Sequence, residues 1–294
     1  MASTGFSLRQ ARSIQRMAEE INSEPPARIA VGGDATFAAA LGQAIAGSAT
    51  GAVVVETGGA SRDDLQEYLG FVAAIDTWPL SDAVLEQLRN VDRAPVPIVA
   101  VLLDLEQELR SDEIPYVLAT DVIRASDIEE AVAPTVARVA IRAKGEAYRL
   151  ARAMPQFRET VGKAIIRHYS RRNGLVGAAS MVTAADLPVL TMNQLRMVSR
   201  LAGAYGIELD AKRLVELGAV VGAGVGLRSV VRSALSALPG PAWAIKGGTA
   251  LGGTVVIGEA AVKRFRAEVE SEDAIADTHT RTSSGGGTSS SPTA

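Results

Sequence analysis

The stretch DLPVLTMNQLRMVSRLAGAYGIELD, residues 186–210, carries the clearest helical pattern in this chain. Its apolar residues recur at steps of three and four, which is the spacing of one buried helix face. The members of this predicted stripe are Leu187, Leu190, Leu195, Val198, Leu201, Ala202 and Tyr205. Asn193 and Gln194 lie beside the stripe, whereas Arg196 and Arg200 fall on another side. The pattern therefore predicts a core helix with two exposed arginines.

Both ends of this helix have sequence signals. Asp186 is a suitable N-cap, and Pro188 suits the first turn, where a backbone N–H is not needed. Gly206 is expected just after the helix, a position that glycine favours because it adopts positive φ without strain. Asp210 is placed to cap a following helix.

The composition excludes several kinds of active site. The 294 residues include no cysteine, so disulfides, thiolate metal sites and a cysteine nucleophile are excluded. The chain has two histidines, of which His168 lies among arginines in IIRHYSRRNG and is expected at a surface or an interface. We expect no catalytic residues, no cofactor and no metal site. The N-terminal 17 residues also lack the apolar core of a signal peptide.

Charge is distributed unevenly along the chain, whose net charge is -3. Residues 1–150 hold about 13 basic and 22 acidic side chains, whereas residues 151–266 hold about 16 basic and 6 acidic ones. This polarity predicts two units with different surroundings. The basic half can face an anionic membrane surface or an acidic protein partner. Its few aromatic residues disfavour nucleic acid.

Five short apolar runs, separated by helical stretches, follow an N-terminal helix within residues 1–26. The runs are 27–31, 52–55, 71–75, 97–103 and 115–119, with helices expected at 37–46, 81–90 and 127–153. Apolar strands that alternate with helices predict a doubly wound, mostly parallel, five-stranded α/β sheet over residues 27–153.

The loops after these strands are where such a sheet binds ligands. A phosphate-binding loop needs G-x-x-x-x-G-K-[ST], but the first loop reads GGDATFAAAL, without a lysine and with Asp34 placed to repel phosphate. Residues 56–59 (ETGG) only loosely echo the D-x-x-G of GTPases, and residues 103–106 (LDLE) stand in place of N-K-x-D. The element order is that of a small GTPase domain, yet Gly32 and Gly33 are better explained as a tight strand–helix turn. We expect no nucleotide hydrolysis and leave residual nucleotide binding open.

Four segments of the second half carry a family resemblance. They are IIRHYSRRNGLVGAA, DLPVLTMNQLRMVSRLAGAYGIELD, RLVELGAVVGAGVGLRSVVR and WAIKGGTALGGTVVIGEAAVKRF, and together, over residues 160–266, they resemble the YcjF-type domain of unknown function. The resemblance implies an uncharacterised helical domain, often associated with membranes, that occurs at the C-terminus of some bacterial GTPases and in stand-alone proteins beside them. It carries no catalytic residues. The GTPase connection favours interpreting residues 27–153 as a decayed GTPase-like domain.

The helical domain, predicted over residues 154–266, contains two segments with regularly spaced glycines. A glycine groove lets another helix approach closely, so segments 214–238 and 243–265 are expected to form an antiparallel, glycine-rich hairpin. The predicted packing glycines are Gly218, Gly222 and Gly226 in the first helix and Gly248 and Gly252 in the second.

Charged residues interrupt the apolar runs of this hairpin, whereas a membrane-spanning helix needs about 20 apolar residues. A simple pair of spanning helices is therefore disfavoured, and re-entrant or interfacial association with an anionic membrane is the comparable option. The residues expected to contact lipid or a protein partner are Arg228, Arg232, Trp243 and Lys246. Residues 267–294 lack an apolar period and are predicted to be a disordered tail.

The leading hypothesis is a non-enzymatic, bacterial-type, membrane-associated scaffold or adaptor, in the cytoplasm or on the cytoplasmic side of a membrane. Two alternatives stay open: a divergent GTP-binding switch, and a soluble, self-assembling or cargo protein.

Overall fold

The structure, a computed structural model, describes residues 8–49, 51–56, 62–103, 114–179, 187–210, 213 and 242–284. The strands are β1 (Arg28–Gly33), β2 (Val53–Val55), β3 (Tyr68–Ile75), β4 (Ile98–Leu103) and β5 (Val122–Ala125). The helices are α1 (Leu8–Ser23), α2 (Ala35–Ala46), α3 (Arg62–Leu65), α4 (Asp82–Asp92), α5 (Ile128–Arg142), α6 (Ala147–Ala153), α7 (Phe157–Ala179), α8 (Leu187–Ala204) and α9 (Ala242–Ser284). Two 3₁₀ turns lie at Ala119–Asp121 and Lys144–Glu146.

The sheet confirms the predicted doubly wound α/β class. All five strands are parallel, in the order β2-β1-β3-β4-β5. Buried residues of α2 and α5 pack on one face of the sheet, and buried residues of α4 pack on the other. The chain passes from β1 to β2 on one side and then crosses back to β3 on the other side of β1, so the switch point of the sheet lies between β1 and β3.

The fifth strand was predicted in the wrong place. Residues 115–119 form no strand, because Tyr116 has a φ of +67°, a left-handed conformation that breaks an extended chain. The strand that pairs with β4 is β5, which begins only after the 3₁₀ turn at Ala119–Asp121. Its Arg124 is exposed, as befits an edge strand, and this polarity hides it from a search for apolar runs.

Two helix predictions also need correction. The helix expected over residues 127–153 is broken at Lys144, whose φ of +49° ends α5 and leads through the 3₁₀ turn into α6. The tail expected to be disordered from residue 267 instead continues α9 as a helix to Ser284. In that segment Glu268 forms an ion pair with Arg213, which lies before α9 in the chain, so polar contacts can support a helix that lacks an apolar period.

Helix α8 agrees closely with its prediction. The described members of its apolar stripe are buried. Gly206 has a φ of +74°, its N–H donates to the Gly203 carbonyl at 3.1 Å, and the Ile207 N–H donates to Ala202 at 3.0 Å. These two bonds are the Schellman arrangement that ends many helices. The Asp210 carboxylate accepts from the Arg213 N–H at 2.7 Å, which is the bond of an N-cap. Asp186 lies outside the described residues.

The helical half and the sheet share one core. Helix α7 packs against α8 and α9, and α1 packs on α8, although α1 precedes the sheet in the chain. A single cluster of buried apolar residues runs from the α2/α5 face of the sheet into α7, α8 and α9. The boundary predicted between residues 153 and 154 is therefore not a boundary between separate hydrophobic cores.

Candidate functional site

The carboxyl ends of β1 and β3 are closed by the chain's own side chains. The Asp34 carboxylate accepts from the Asp76 N–H at 2.9 Å and from the Thr77 N–H at 3.2 Å. Gln87 of α4 accepts from the Gly33 N–H at 2.8 Å and donates to the Glu56 carbonyl at 2.9 Å. At the switch point, where a doubly wound sheet usually binds its ligand, backbone groups already have protein partners.

The two glycines of this turn are required by close packing. A Cβ atom on Gly32 would lie 2.4 Å from Nε2 of Gln87. Gly33 has a φ of +107°, and a Cβ there would lie 2.1 Å from the Ala74 carbonyl oxygen. Both positions fit the predicted tight strand–helix turn. The contribution of Gln87 was missed, because a glutamine on an amphipathic helix gives no signal that its amide will reach another loop.

Three titratable groups of the sheet domain have structural roles. Burial raises the pKa of Asp34, and the neighbouring Asp76 carboxylate raises it further, against the two backbone hydrogen bonds that lower it. Burial and a 2.9 Å hydrogen bond to Glu56 raise the pKa of Tyr68 to about 12. Asp121 is buried and forms an ion pair with Arg142 at 2.5 Å, which ties the edge of β5 to α5. The contacts of these three groups join the loops and helices of the sheet domain.

A cavity of about 690 Å³ lies between α1, α7 and α8. We call it the arginine-lined cavity, because six basic side chains line it: Arg12, Arg16, His168, Arg172, Arg196 and Arg200. They form three pairs with a spacing of four residues, one pair on each helix, so each helix turns two successive basic residues toward the same space. Sequence analysis placed Arg196 and Arg200 on an exposed face. Both are half-buried and face this cavity instead.

Three carboxylates also line the cavity, but two of them are already paired. Glu24 accepts a hydrogen bond from the Tyr148 hydroxyl and lies 3.8 Å from the Arg149 guanidinium. Glu146 forms an ion pair with the same Arg149 at 3.4 Å. Glu20 is the third carboxylate. Because Arg149 neutralises one end of the lining, the basic side chains dominate the rest.

The aromatic wall of the cavity holds one arginine in place. The guanidinium carbon of Arg200 lies 5.9 Å from the ring centre of Tyr169, a cation–π distance. His168 meets the same ring edge-on at 5.1 Å. Sequence analysis missed the arginine-lined cavity because α1 and α8, which form two of its walls, are far apart in the chain and meet only in the tertiary fold.

A second surface feature is an apolar groove between α7 and α9. It is lined by Gly174, Leu175 and Ala178 of α7 and by Gly247, Gly248 and Leu251 of α9, with Arg171 at its edge. Leu175 is 73% exposed and Leu251 is 40% exposed. Arg167, Arg171 and Leu175 follow one another at intervals of four on α7 and are all exposed. We call this combination of groove and arginines the α7 surface.

Close approach of α7 and α9 depends on glycine. A Cβ on Gly247 would lie 3.0 Å from the Gly174 carbonyl oxygen, and a Cβ on Gly258 would lie 2.6 Å from Cγ1 of Ile166. Beneath this seam, buried polar side chains join three helices. Asn173 of α7 donates to Thr254 of α9 at 2.9 Å and accepts from Asn193 of α8 at 2.8 Å.

The predicted packing and lipid-contact residues are only partly described. Gly218, Gly222, Gly226, Arg228 and Arg232 lie outside the described residues. The backbones of Trp243 and Lys246 belong to the start of α9, but their side chains are not described. A Cβ on Gly248 or Gly252 would have no described atom within 4 Å. The predicted hairpin therefore stays a prediction, whereas the glycine seam that the structure does describe joins α7 to α9.

The described residues show neither a cluster of metal ligands nor a membrane-spanning helix. No group of three or more His, Asp or Glu side chains is arranged there to hold a metal ion. None of the helices in these ranges combines the length and apolar character that crossing a bilayer requires.

Comparison with known proteins gives one result for the helical half. No match to the chain was found among curated proteins. Residues 141–279, which run from the end of α5 through α7 and α8 into α9, match the domain of unknown function DUF697.

Proposed function

We propose that this protein is a non-enzymatic, membrane-associated adaptor. The helical domain docks peripherally on an anionic membrane surface through the α7 surface, and the sheet domain presents a partner-binding face without a nucleotide site. The observation that carries this proposal is the combination of exposed apolar and basic side chains on α7.

The α7 surface has the chemistry of an interfacial membrane contact. Leu175 and Leu251 offer apolar area that is already exposed, and burying a leucine side chain contributes about 1.5–3 kcal/mol. Arg167 and Arg171 lie on the turns before Leu175 and can contact lipid phosphates. Basic residues near an anionic leaflet contribute roughly 1 kcal/mol each. The excess of basic residues in positions 151–266 favours the same surface.

The sheet domain supports the adaptor part of the proposal. Its strand order is compatible with a GTPase-like ancestry, and its switch point lies where a nucleotide would be expected. Gln87 lies against Gly32 there, and the Asp34 carboxylate caps the loop after β3. A bound phosphate would have to displace these contacts and approach a carboxylate. We therefore propose that the domain keeps the shape of a switch protein without its phosphate chemistry.

Flotation with lipid vesicles tests membrane docking. The full chain is expected to float with vesicles that contain phosphatidylglycerol, less with neutral phosphatidylcholine vesicles, and less again in high salt. The double variant Leu175→Ser/Leu251→Ser should reduce the bound fraction at least about tenfold, given the apolar area removed. Leu118→Ser is the matched control, because Leu118 is 60% exposed but belongs to the sheet domain.

Two results would refute membrane docking. One is a wild-type chain that stays with the soluble fraction at low salt, which together with a discrete oligomer on gel filtration would favour a self-assembling protein. The other is an equal loss of flotation in the Leu118 control and in the double variant.

A titration with a fluorescent GTP analogue tests the sheet domain. We expect no saturable binding. A Kd below about 100 µM, corresponding to roughly −5.5 kcal/mol, would instead support a divergent GTP-binding switch.

A further inference from the structure

We propose that the arginine-lined cavity is a binding site for a group that carries several phosphates. The site lies where α1 meets α7 and α8, and it shares no lining residue with the groove of the α7 surface. It is independent of the proposed membrane docking, because none of its six basic residues lines that groove.

The spacing of the basic residues within each helix is unfavourable for the stability of that helix. Like charges four residues apart destabilise a helix by about 0.2–0.5 kcal/mol per pair. The pairs Arg12/Arg16 and Arg196/Arg200 both face the cavity, and His168 lies four residues before Arg172 on the third helix. The packing of the three helices adds repulsion between the pairs. A bound polyanion would offset this repulsion, so the arrangement of basic residues is explained by a polyanionic ligand.

Three other half-buried arginines of the chain have carboxylate partners, unlike the two arginines of α8. Arg142 pairs with Asp121, Arg149 with Glu24 and Glu146, and Arg213 with Glu268. In the described part of the chain, by contrast, no carboxylate lies within ion-pair distance of Arg196 or Arg200, although both are half-buried. Guanidinium groups bind phosphate oxygens through two parallel hydrogen bonds, so these side chains are suited to a phosphate ligand.

The size and the charge of the cavity suit a small ligand that carries several phosphates. Pockets for small molecules usually have volumes of about 300–1,000 Å³, and 690 Å³ lies within this range. Five arginines exceed what one phosphate can neutralise, which favours a ligand with two or more phosphates. Such a group can belong to a soluble polyphosphorylated metabolite or to a phosphorylated lipid headgroup, and the chemistry of recognition is the same.

Calorimetric titration with inositol hexakisphosphate and with inorganic pyrophosphate tests the site on the full chain. We expect saturable binding that falls at least tenfold in Arg196→Gln/Arg200→Gln and is largely retained in Arg196→Lys/Arg200→Lys. Arg12→Gln/Arg16→Gln tests the α1 wall separately and should weaken binding as well. The matched control is Lys263→Gln, since Lys263 is an exposed basic residue of α9 that does not line the cavity. Circular dichroism verifies that each variant is folded.

Vesicles distinguish the two sources of the phosphates. Flotation with phosphatidylcholine vesicles that contain a phosphatidylinositol bisphosphate, but no saturable binding of the soluble probes, assigns the ligand to a lipid. Binding of the soluble probes without flotation on the phosphoinositide vesicles assigns it to a metabolite. In either case the Arg196/Arg200 glutamine variant must lose binding, and Leu175→Ser/Leu251→Ser must still bind the soluble probes if those bind at all.

The proposal is overturned by any of three results. The first is no interaction of the wild-type chain with either soluble probe or with the phosphoinositide vesicles. The second is undiminished binding in folded Arg196→Gln/Arg200→Gln. The third is an equal loss of binding in Lys263→Gln, which would show that only overall charge matters.

Discussion

Replacing Thr254 by valine should destabilise the protein out of proportion to the change in shape. Thr254 is fully buried in α9, and its hydroxyl accepts from Asn173 at 2.9 Å and from Gln194 at 3.2 Å. The same hydroxyl donates to the Ala250 carbonyl at 2.7 Å. Valine has almost the same volume but no hydroxyl, so Thr254→Val leaves two buried amide groups without their acceptor.

The expected cost follows from the number of groups left unsatisfied. A buried polar group that loses its partner costs about 1–3 kcal/mol, so two amides give roughly 2–6 kcal/mol for Thr254→Val. Thr254→Ser keeps the hydroxyl and removes one methyl group, for a cost of about 1 kcal/mol. Since domains are stable by only about 5–15 kcal/mol, the difference between the two variants is large enough to measure.

Urea denaturation followed by circular dichroism is the assay, with both variants compared with the wild type at equal concentration. The reasoning requires a lower midpoint for Thr254→Val than for Thr254→Ser, with slopes unchanged. A valine variant as stable as the wild type, or more stable than the serine variant, would show that the hydroxyl does not satisfy Asn173 and Gln194. The hydrogen bonds from Asn173 and Gln194 to Thr254 would then contribute nothing to stability.

Four further substitutions, three at glycines and one at a carboxylate, are to be compared by thermal unfolding. Gly258→Ala should destabilise the protein by about 1–3 kcal/mol, because its Cβ would lie 2.6 Å from buried Ile166. Gly252→Ala should stabilise α9 by about 0.5–1 kcal/mol, and a clear destabilisation would instead favour the predicted packing of segment 214–238 on this glycine. Gly206→Ala should cost about 1–2 kcal/mol through its positive φ alone, since an added Cβ has open space, so an unchanged melting temperature would contradict the helix end described above. Asp34→Asn should raise the melting temperature at neutral pH. The pKa of Asp34 in the folded state is raised above its ordinary value of 3.8, so the protonated carboxyl stabilises the fold below pH 3.8. This stabilisation is lost as the pH rises through the folded-state pKa. The asparagine retains the acceptor oxygen without the charge, and an advantage that grows toward acid pH would refute this explanation.

Local signals predicted much of this fold because they act within a few residues. The stripe of α8 and the glycine after it depend on contacts inside one helix and its end, and both are as predicted. The strand prediction went wrong at Tyr116, where an apolar sequence adopts a left-handed turn. It also missed β5, whose exposed Arg124 interrupts its apolar character. Lys144 adopts a positive φ, which the presence of a lysine does not predict, so the single helix expected over residues 127–153 is divided into α5 and α6.

The candidate sites were less accessible to sequence analysis, because each depends on a distant partner. Arg196 and Arg200 look like the solvent side of an amphipathic helix until α1, from the other end of the chain, forms the opposite wall. Gln87 closes the switch point through contacts with two loops that its own helix pattern does not reveal. The sequence shows that the first loop lacks a phosphate-binding lysine, but it does not show that the Gln87 side chain lies against Gly32.

Helix α1 gives the arginine-lined cavity a mechanical connection to the rest of the chain. Ile21 of α1 packs against Gly203 of α8 so closely that a Cβ on Gly203 would lie 2.7 Å from Cγ2 of Ile21. The Asn22 side chain both donates to and accepts from the backbone of Leu209. The carbonyl of Ile21 also accepts from Arg152 of α6 at 3.2 Å. Removing α1 would therefore expose the core that the sheet and the helical domain share. A ligand that binds the folded chain through both walls of the cavity raises the stability of that whole core by mass action. Binding at this site should accordingly appear as a higher unfolding temperature of the entire protein, rather than as a movement of one half relative to the other.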